Sequence, residues 1–485
     1  MRHALRAILV PVFAAATATL TACREPLESP LHTPTSPASA AWGIEPSLAA
    51  LLAGMPPSTS VFSVVEYDVR VATGPPLAGR IRGVGAGARA LKHLPYIGVL
   101  ATARQIDAVA ALPGVTRVWN NRRLTYFGAT ASTLLLDRSV PTIKADQARA
   151  EFGVTGYGVG VVILDSGIDG LLQQDLRYPA RTVQNLKVIA SQQDIVCVVG
   201  LPCAPSIYVE GLPNSETSVG HGTHVAGIAG GDGTQSAGLY TGVAPGANLI
   251  GIGTGDVLFI FWAMAGFDYV LENQDRYNIK VVNNSWGTTG AFDPNDPINV
   301  ATRRLYDRGV TVVFAAGNEG PGDNTLNPYS VAPWVIGVAA TCSATDSVGQ
   351  ANVCDGGMLA DFSSRGIRGD ALYHPAVAAP GVYVNSTRAS TGPVLTGLDA
   401  PDDLLGTCGL RTEFVAFYTC ASGTSMASPH VAGVVALMQE WAGGQLTPDQ
   451  VKGLLVDTAE PLANYAPFEV GAGMVNALEA VRGSR

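Results

Sequence analysis

Charged side chains are scarce in this sequence, and basic ones are the scarcer kind. Of its 485 residues 14% are charged, with 30 Lys or Arg against 39 Asp or Glu, and the formal net charge is −9. No basic run follows the first few residues, and no later stretch of about 20 apolar residues offers a membrane helix. Since nucleic-acid-binding proteins usually carry a basic patch, the composition argues against a nucleic-acid partner.

Apolar residues and glycine are plentiful by contrast. Hydrophobic residues make up 47% of the chain, and it contains 56 glycines. A chain of this length and composition can build a large core in two or three domains, with many tight turns.

The first 22 residues have the pattern of a secretory signal. Arg2 and Arg6 supply positive charge, and residues 8–20 are apolar but short for a membrane span. The following Leu20-Thr21-Ala22-Cys23 resembles a bacterial lipobox, in which the cysteine becomes the lipid-bearing first residue. We therefore predict a signal peptide over residues 1–22, lipidation at Cys23, and an exported protein, anchored to the cell envelope by lipid or extracellular after processing. The alternative is an ordinary signal peptide with a cysteine nearby.

The cysteine count supports export. Seven cysteines are an odd number for an exported protein, but without Cys23 six remain, and they fall into three couples that are close in sequence. Six cysteines allow 15 connectivities, of which pairing between neighbours is our leading hypothesis; the alternative is that some stay free and buried. The predicted disulfides are Cys197–Cys203, Cys342–Cys354 and Cys408–Cys420.

Two regions precede the larger part of the chain. Residues 23–58 are rich in Pro, Ser, Thr and Ala, which predicts a tether rather than a domain. Residues 59–127 contain three strand-like runs and one helical stretch, which predicts a small α+β unit. The strand-like runs are 61–67, 96–100 and 115–119, and the helical stretch is 103–111.

Residues 135–485 alternate apolar strand-like runs with helical stretches. Continuous β-branched runs between helices predict an α/β fold, a mostly parallel sheet with helices on both faces. Functional sites of such sheets gather at the carboxyl ends of the strands. The predicted strands are 160–164, 248–252, 280–283, 310–315 and 335–339, and the predicted helices are 221–230, 258–273 and 299–308.

Two candidate catalytic residues follow from this pattern. Asp165 ends the strand 160–164, where a rigidly held carboxylate can orient an imidazole. His221 opens the run Gly220-His-Gly-Thr-His-Val-Ala-Gly227 at the start of a small-residue helix. Two histidines three apart could ligate a metal, but the glutamate of the zinc-protease pattern is missing. We therefore interpret His224 as structural.

A serine and an asparagine complete the set. Ser425 lies in Ser422-Gly-Thr-Ser-Met-Ala-Ser-Pro-His430, after a strand-like stretch over 414–419 and at the start of an apolar helix that runs through Trp441. Free N–H groups there suit an oxyanion, and a serine nucleophile needs a neighbouring base such as His221. Asn318, in Ala315-Ala-Gly-Asn-Glu-Gly320, could donate to the same oxyanion; a turn asparagine is the alternative.

The run Asp165-Ser-Gly-Ile-Asp169 and the three runs around His221, Asn318 and Ser425 resemble the signatures of the subtilisin family. They occur in that family's order of Asp, His and Ser. The resemblance covers about residues 140–482. It implies a serine endopeptidase in which Asp165, His221 and Ser425 form the triad and Asn318 holds the oxyanion, with protein or peptide substrates and no cofactor required for the chemistry.

The resemblance extends to the region before the catalytic domain. The order of helix and strands in 59–127 is similar to the inhibitory propeptide of subtilisin-like enzymes, so the chain's own propeptide is an expected inhibitory partner. A self-cleavage between about Tyr126 and Leu136 is implied, after which the lipid anchor would no longer hold the enzyme. An unrelated adaptor domain is the alternative.

Substrate-binding residues are carried over from the family in two groups. One edge of the cleft is expected at Ser285, Trp286 and Gly287, and the other, which would pair with an extended substrate, at Gly253 and Gly255. Ala315, Gly317 and Glu319 are expected around the first specificity pocket, which should accept large apolar residues.

The chain departs from the family at a frequent calcium ligand. Gln173-Gln174-Asp175-Leu176 replaces the usual His-Pro-Asp-Leu, and the six to eight oxygens that calcium needs cannot be assembled from the neighbouring loop. A structural calcium ion is compatible with the sequence, at no site that we can name. Two other functions remain open. One is a pseudoenzyme that only binds, which is disfavoured because all four catalytic positions are filled. The other is an esterase or lipase, which is disfavoured because Ser425 does not lie in the Gly-x-Ser-x-Gly motif of such enzymes.

Overall fold

Alternating apolar residues near the N-terminus build a sheet that is buried on both faces. In the strand β2 (Ser60–Tyr67), Val61 and Val65 face a core under the local helices, while Phe62 and Val64 face the helices of the larger part of the chain. A strand shows this period of two because successive side chains point to opposite sides.

The computed structural model describes residues 43–127, 139–189, 204–343, 357–392, 395 and 410–485, all of which belong to one compact unit.

The N-terminal sheet has five strands in the order β1-β5-β2-β4-β3, with three helices against it. Its strands are β1 (Gly43–Ile44), β2, β3 (Gly87–Ala90), β4 (Tyr96–Thr102) and β5 (Val115–Asn120), and its helices are α1 (Pro46–Ala53), α2 (Gly74–Gly83) and α3 (Ala103–Ala110).

The predicted tether is wrong over its last part. Gly43 and Ile44 pair in parallel with Arg117 and Val118, and Leu48 of α1 is fully buried. Proline favoured the tether interpretation, but Pro46 stands in the first turn of α1, where its missing N–H costs nothing. The folded unit therefore already includes Gly43, ahead of the predicted residue 59.

The larger part of the chain contains an eight-stranded sheet in the order β16-β15-β14-β12-β7-β10-β8-β9, which is parallel except for the pairing of β8 with β9. The predicted α/β class is confirmed. The strands are β7 (Gly160–Asp165), β8 (Thr182–Val188), β9 (Tyr208–Glu210), β10 (Asn248–Gly253), β12 (Ile279–Asn284), β14 (Thr311–Ala315), β15 (Ile336–Thr341) and β16 (Val377–Pro380).

Helices cover both faces of this sheet. Val161 and Ile163 of β7 pack in one core with α6 (His221–Gly230) and α9 (Thr424–Trp441), and Val162 and Leu164 pack in the other with α7 (Ile260–Asn273) and α8 (Pro297–Asp307). The remaining helices are α4 (Ser139–Thr142), α5 (Ala145–Phe152), α10 (Pro448–Asp457), α11 (Pro467–Val470) and α12 (Ala477–Gly483).

Two small sheets complete the architecture. The segment β6 (Arg123–Tyr126) lies between β11 (Leu258–Phe259) and β13 (Trp286–Gly287), and β17 (Val384–Thr387) pairs with β18 (Tyr418–Ala421). Two predicted elements are therefore corrected. The helix predicted from Leu258 begins only at Ile260, because β11 pairs with β6, and the strand predicted over 414–419 begins only at Tyr418, after a 3-10 turn at Thr412–Phe414.

None of the helices in the described ranges combines the length and the hydropathy needed to cross a bilayer. The predicted signal peptide and lipidation site lie outside those ranges. Of the six cysteines predicted to pair, Cys342 and Cys420 are described, and both are buried. Since the other four lie outside the described residues, the three predicted pairs stay predictions.

Candidate active site

Asp165 and His221 meet at the carboxyl end of the central sheet. Asp165 is the last residue of β7 and His221 the first of α6, and both are buried. The imidazole Nδ1 lies 2.7 Å from Asp165 Oδ1, which also accepts the N–H of Ser166 at 2.7 Å. Such a pairing fixes which ring nitrogen carries the proton and leaves Nε2 as the basic atom.

Ser425 is the second residue of α9 and is fully buried. Its hydroxyl donates to the carbonyl oxygen of Ser285 at 2.9 Å, and the Ser285 hydroxyl donates back to the Ser425 carbonyl at 2.8 Å. His221 Nε2 has no hydrogen-bond partner among the described residues. The structure therefore joins histidine to aspartate directly, while the serine hydroxyl is held by the neighbouring edge of the cleft.

Asn318 follows β14 and is oriented by the start of α9. Its Oδ1 accepts the N–H and the hydroxyl of Thr424, at 2.9 and 2.8 Å, so its Nδ2 points the other way and has no partner within the described parts of the chain. A Cβ placed on Gly423 would lie 3.3 Å from that Nδ2. Asn318 thus presents an amide donor beside the N-terminus of the serine helix.

The segment β6 occupies the groove between β11 and β13, where it pairs as an antiparallel strand. Tyr126 pairs with Trp286 and Thr125 with Gly287 on one side, and Leu124 pairs with Leu258 on the other. The next residue, Phe127, donates its N–H to the carbonyl oxygen of Ser285 at 3.3 Å. A strand added between two edges in this way is the arrangement by which extended peptides are recognised.

The expected edge at Gly253 and Gly255 is corrected. Gly253 is the last residue of β10 and pairs within the central sheet, opposite both Asp165 and Lys187, so its backbone is already occupied. The pairing edge is Leu258–Phe259, farther along the chain. Gly255 still contacts the groove, because its carbonyl accepts the Tyr126 hydroxyl at 2.9 Å.

The expected edge at Ser285, Trp286 and Gly287 contacts β6 through its backbone. The indole of Trp286 is fully buried, donates to the carbonyl of Leu164 at 2.8 Å and packs edge-on against Phe314. This side chain therefore packs in the core of the central sheet and does not face the groove.

Asn327 is a residue that the sequence interpretation missed. Its Nδ2 donates to the carbonyls of Trp286 and Ala315, at 3.1 and 3.0 Å, and so fixes two candidate walls of the groove relative to each other. A Cβ on Gly287 would lie 2.3 Å from this amide, which explains glycine there. No motif pointed to Asn327, since its partners are distant in sequence.

Ser364 has a similar role for the remaining pocket residues. Its hydroxyl accepts the N–H of Glu319 at 3.0 Å, and its N–H donates to the carbonyl of Gly317 at 2.9 Å. Ser364 therefore fixes the residues on both sides of Asn318, Gly317 and Glu319.

A second carboxyl group, Glu216, lies beside the Asp165–His221 pair and was also missed. It is 5% exposed, accepts the Ser166 hydroxyl at 2.8 Å and accepts the N–H of Thr217 at 3.0 Å. Burial raises its pKa to about 7, and the nearby Asp165 acts in the same direction. The only signal in the sequence was an acid five residues before His221.

The two other candidate metal ligands, His224 and Asp175, are bonded to groups of the fold. His224 is fully buried, with Nε2 3.1 Å from the carbonyls of Val384 and Thr419, and burial lowers its pKa to about 3. Asp175 accepts the Tyr418 hydroxyl at 2.5 Å and the N–H of Gln235 at 2.8 Å. Across the described ranges, no group of three or more His, Cys, Asp or Glu side chains is arranged to hold a metal ion.

Comparison with known proteins adds independent evidence. A model described as the subtilase family matches residues 156–473. The serine protease AprX of Bacillus subtilis is 29% identical over 386 residues, which are 77% of this chain and 77% of that protein. Subtilisin DY of Bacillus licheniformis is 30% identical over 346 residues, 70% of this chain and 95% of that protein.

A third relative and a solved structure agree. An extracellular protease of Xanthomonas campestris is 34% identical over 295 residues, 59% of this chain and 42% of that protein. The crystal structure of fervidolysin from Fervidobacterium pennivorans, described as a keratinolytic enzyme related to subtilisin, superposes with a TM-score of 0.61 at 22% identity, covering 88% of this chain and 61% of that one. At this identity the superposition supports the fold alone.

Proposed function

The chain belongs to the subtilase family as a subtilisin-like serine endopeptidase, and from this premise we propose that it cleaves proteins through Ser425, His221 and Asp165. The observation that carries the proposal is the 2.7 Å contact between Nδ1 of His221 and Asp165, both buried at the end of the central sheet. It leaves the opposite ring nitrogen free to act as a base.

In the proposed reaction Ser425 attacks the substrate carbonyl while His221 Nε2 takes the hydroxyl proton. The imidazolium that forms is stabilised by Asp165, and it then gives the proton to the leaving amine. Water releases the acyl group by the same steps in reverse. Since the Ser425 hydroxyl now donates to Ser285, it must first rotate about its Cα–Cβ bond toward His221.

Oxyanion stabilisation is assigned to Asn318 and the backbone N–H of Ser425. The amide Nδ2 is supported in this role by the two bonds that Thr424 makes to Asn318 Oδ1, because they fix the orientation of the amide. An N–H at the start of a helix as long as α9 adds a favourable dipole. Donors held in place before the reaction need no reorganisation when charge develops.

We further propose that the chain is made as a self-processing zymogen. The support is the position of β6, whose backbone fills the groove that leads to Ser425. A substrate cannot pair with the same edges until this segment leaves. The part before about residue 135 would therefore act as inhibitor until it is cut off.

Export and lipid anchoring belong to the proposal as well. Their support is the sequence at the N-terminus, with its charged, apolar and Leu20–Cys23 regions in order. Two relatives carry names of extracellular proteases. The test is incorporation of radiolabelled fatty acid, which we expect in the wild type and not in Cys23→Ala.

Subtilases generally need no cofactor for their chemistry and often bind calcium, but we assign calcium to no residue.

A fluorophosphonate probe tests the peptidase proposal. Wild-type protein should be labelled at Ser425, and Ser425→Ala should be inert toward both the probe and casein. Ser206→Ala, a change in the connection before β9, is the matched control and should react like wild type. Labelling elsewhere, or none after maturation, would refute the assignment. If wild type and Ser425→Ala are trimmed identically on secretion, self-processing is wrong.

The oxyanion assignment has its own isosteric variant. Asn318→Asp keeps the oxygen that Thr424 binds but loses the Nδ2 donor. We expect kcat to fall by about 100- to 1000-fold with little change in KM, a range taken over from an oxyanion donor of subtilisin and not worked out for this chain. An unchanged kcat would exclude Asn318 from the transition state.

A further inference from the structure

We infer that maturation cuts the peptide bond that follows Phe127, and that the side chains of Phe127 and Leu124 are the ones by which the groove selects this bond. The inference rests on the proposed function, since it takes Ser425 as the nucleophile. The segment of the chain that occupies the groove is the substrate of this first cut.

The hydrogen bonds fix the register of this segment. The carbonyl oxygen of Ser285 accepts both the N–H of Phe127, at 3.3 Å, and the hydroxyl of Ser425, at 2.9 Å. Two donors on one oxygen are necessarily close neighbours, so Phe127 is the residue beside the nucleophile. Tyr126 and Thr125 continue the pairing away from it, against Trp286 and Gly287.

The carbonyl group of Phe127 lies on the oxyanion side. A Cβ built on Gly423 would stand 2.4 Å from the Phe127 oxygen and 3.3 Å from Asn318 Nδ2. The oxygen and the amide therefore border the same small space at the start of α9.

Two side chains of the segment, three positions apart, are buried, and Tyr126 between them is half-buried. Leu124 is 2% exposed and packs in the apolar cluster that contains Leu258 and Trp286, and Phe127 is 6% exposed. Arg123 and Thr125 are exposed. Since burial of apolar surface is the main source of affinity for such groups, positions 124 and 127 carry the specificity.

Tyr126 has a separate contact. Its ring centre lies 5.4 Å from that of His221, and its hydroxyl bonds to Thr254 Oγ1 at 2.5 Å and to the Gly255 carbonyl at 2.9 Å. The ring thus shields the Asp165–His221 pair from water on this side. An aromatic residue before the last one is a secondary preference of the same groove.

The cleavage balances as an ordinary acyl transfer. Ser425 Oγ bonds to the carbonyl carbon of Phe127, and His221 takes the hydroxyl proton. The bond to the nitrogen of residue 128 then breaks, and that nitrogen leaves as an amine with the proton from His221. Water attacks the ester, so Phe127 ends as a carboxylate and Ser425 regains its hydroxyl. Water is the only co-reactant.

The first experiment follows processing in the full-length chain. Early fragments are collected and both new ends are determined by mass spectrometry. We expect an N-terminal fragment that ends at Phe127 and a mature chain that begins at Gly128. Fragments that end elsewhere at the earliest times, in a chain whose Ser425 still labels with fluorophosphonate, would overturn this inference and leave the peptidase proposal standing; failure to label would overturn the proposal itself.

A matched pair of variants tests the side-chain roles. Phe127→Asp should slow processing by about 10-fold or more, because the buried apolar surface is lost. Thr125→Asp places the same charge on an exposed position of the same strand and should change the rate by no more than about 2-fold. Equal effects of the two substitutions would refute a specificity role for Phe127.

Peptides extend the test to the mature enzyme and do not depend on folding of a variant. We compare kcat/KM for the p-nitroanilide of acetyl-Leu-Thr-Tyr-Phe with peptides in which Phe, Leu or Thr is replaced by Ala. Replacement of Phe or of Leu should lower kcat/KM by about 10-fold or more, and replacement of Thr by no more than about 2-fold. A mature enzyme that hydrolyses casein but ranks these peptides equally would contradict the preference alone.

Discussion

Glu216→Gln should make the folded protein more stable at alkaline pH and not at acid pH. The carboxyl of Glu216 is buried between the loop after β7 and the start of α6, where it accepts the hydroxyl of Ser166. Asp165 lies near it, and the ammonium of Lys187 acts on the same region from β8. Burial dominates this balance and raises the pKa of Glu216 from 4.5 to about 7.

The sign follows from which state holds the proton more tightly. Below pH 4.5 the Glu216 carboxyl is protonated in the folded and in the unfolded state, so it has no effect on the free energy of unfolding. Between 4.5 and about 7 the unfolded chain loses the proton first, and the free energy of unfolding falls as the pH rises. One pKa unit corresponds to about 1.4 kcal/mol, so the full loss above pH 7 is about 3 kcal/mol.

Glutamine resembles the protonated acid and does not titrate. In the Ser425→Ala background, which prevents self-digestion, guanidinium unfolding at pH 4 to 9 should give similar free energies for the two proteins at pH 4. The Gln variant should then gain up to about 3 kcal/mol by pH 8. Glu413→Gln, at an exposed carboxylate, is the control and should follow the parent at every pH.

Two results would refute the reasoning. A difference between Glu216→Gln and its parent that is the same at every pH would mean that the carboxyl does not titrate in this window. A variant that is less stable at pH 8 would mean that the N-terminus of α6 and the bonds from Ser166 and Thr217 stabilise the charged form more than burial opposes it.

Two glycine substitutions test the groove and its occupant. Gly287→Ala places a Cβ 2.3 Å from the Asn327 amide, so the edge must shift; kcat/KM for the peptides should fall by about 10-fold, and an unchanged value would show that this edge tolerates displacement. Gly98→Ala places a Cβ 2.7 Å from the ring of Phe261, so the cleaved N-terminal fragment should bind about 10-fold more weakly or worse. Gly79→Ala is the control for the fragment, because its Cβ would meet only the end of a flexible side chain at 3.9 Å, and equal affinities would refute the packing argument.

The central sheet was predictable because its signal is local. The run over 160–164 became β7 (Gly160–Asp165), and the helix predicted over 221–230 has those bounds in the structure. A strand covered on both faces needs apolar residues throughout, which a reader of the sequence can see. The order of the motifs was then enough to predict that Asp165 and His221 lie together, although the loops between them could not be predicted.

Contacts between distant segments could not be predicted in the same way. The edge was expected at Gly253 from the resemblance to the family, but pairing with β6 depends on which backbone groups the central sheet leaves free. Leu258 and Phe259 fit a helix by period alone, and only a partner more than 130 residues earlier in the chain makes them a strand. Glu216 and Asn327 were missed for the same reason.

The N-terminal unit is held by contacts that do not depend on the bond after Phe127. Asp268 accepts the N–H groups of Lys92, His93 and Leu94 at 2.8, 2.6 and 2.9 Å. These three bonds to one buried carboxylate remain when the chain is cut. If the bond after Phe127 is cut as we propose, only the covalent link is lost, and we expect the fragment to keep its place in the groove as a product that pairs like a substrate. We therefore expect activity to be limited by loss of the fragment and not by the first cut, so that a packing defect at Gly98 should release activity sooner.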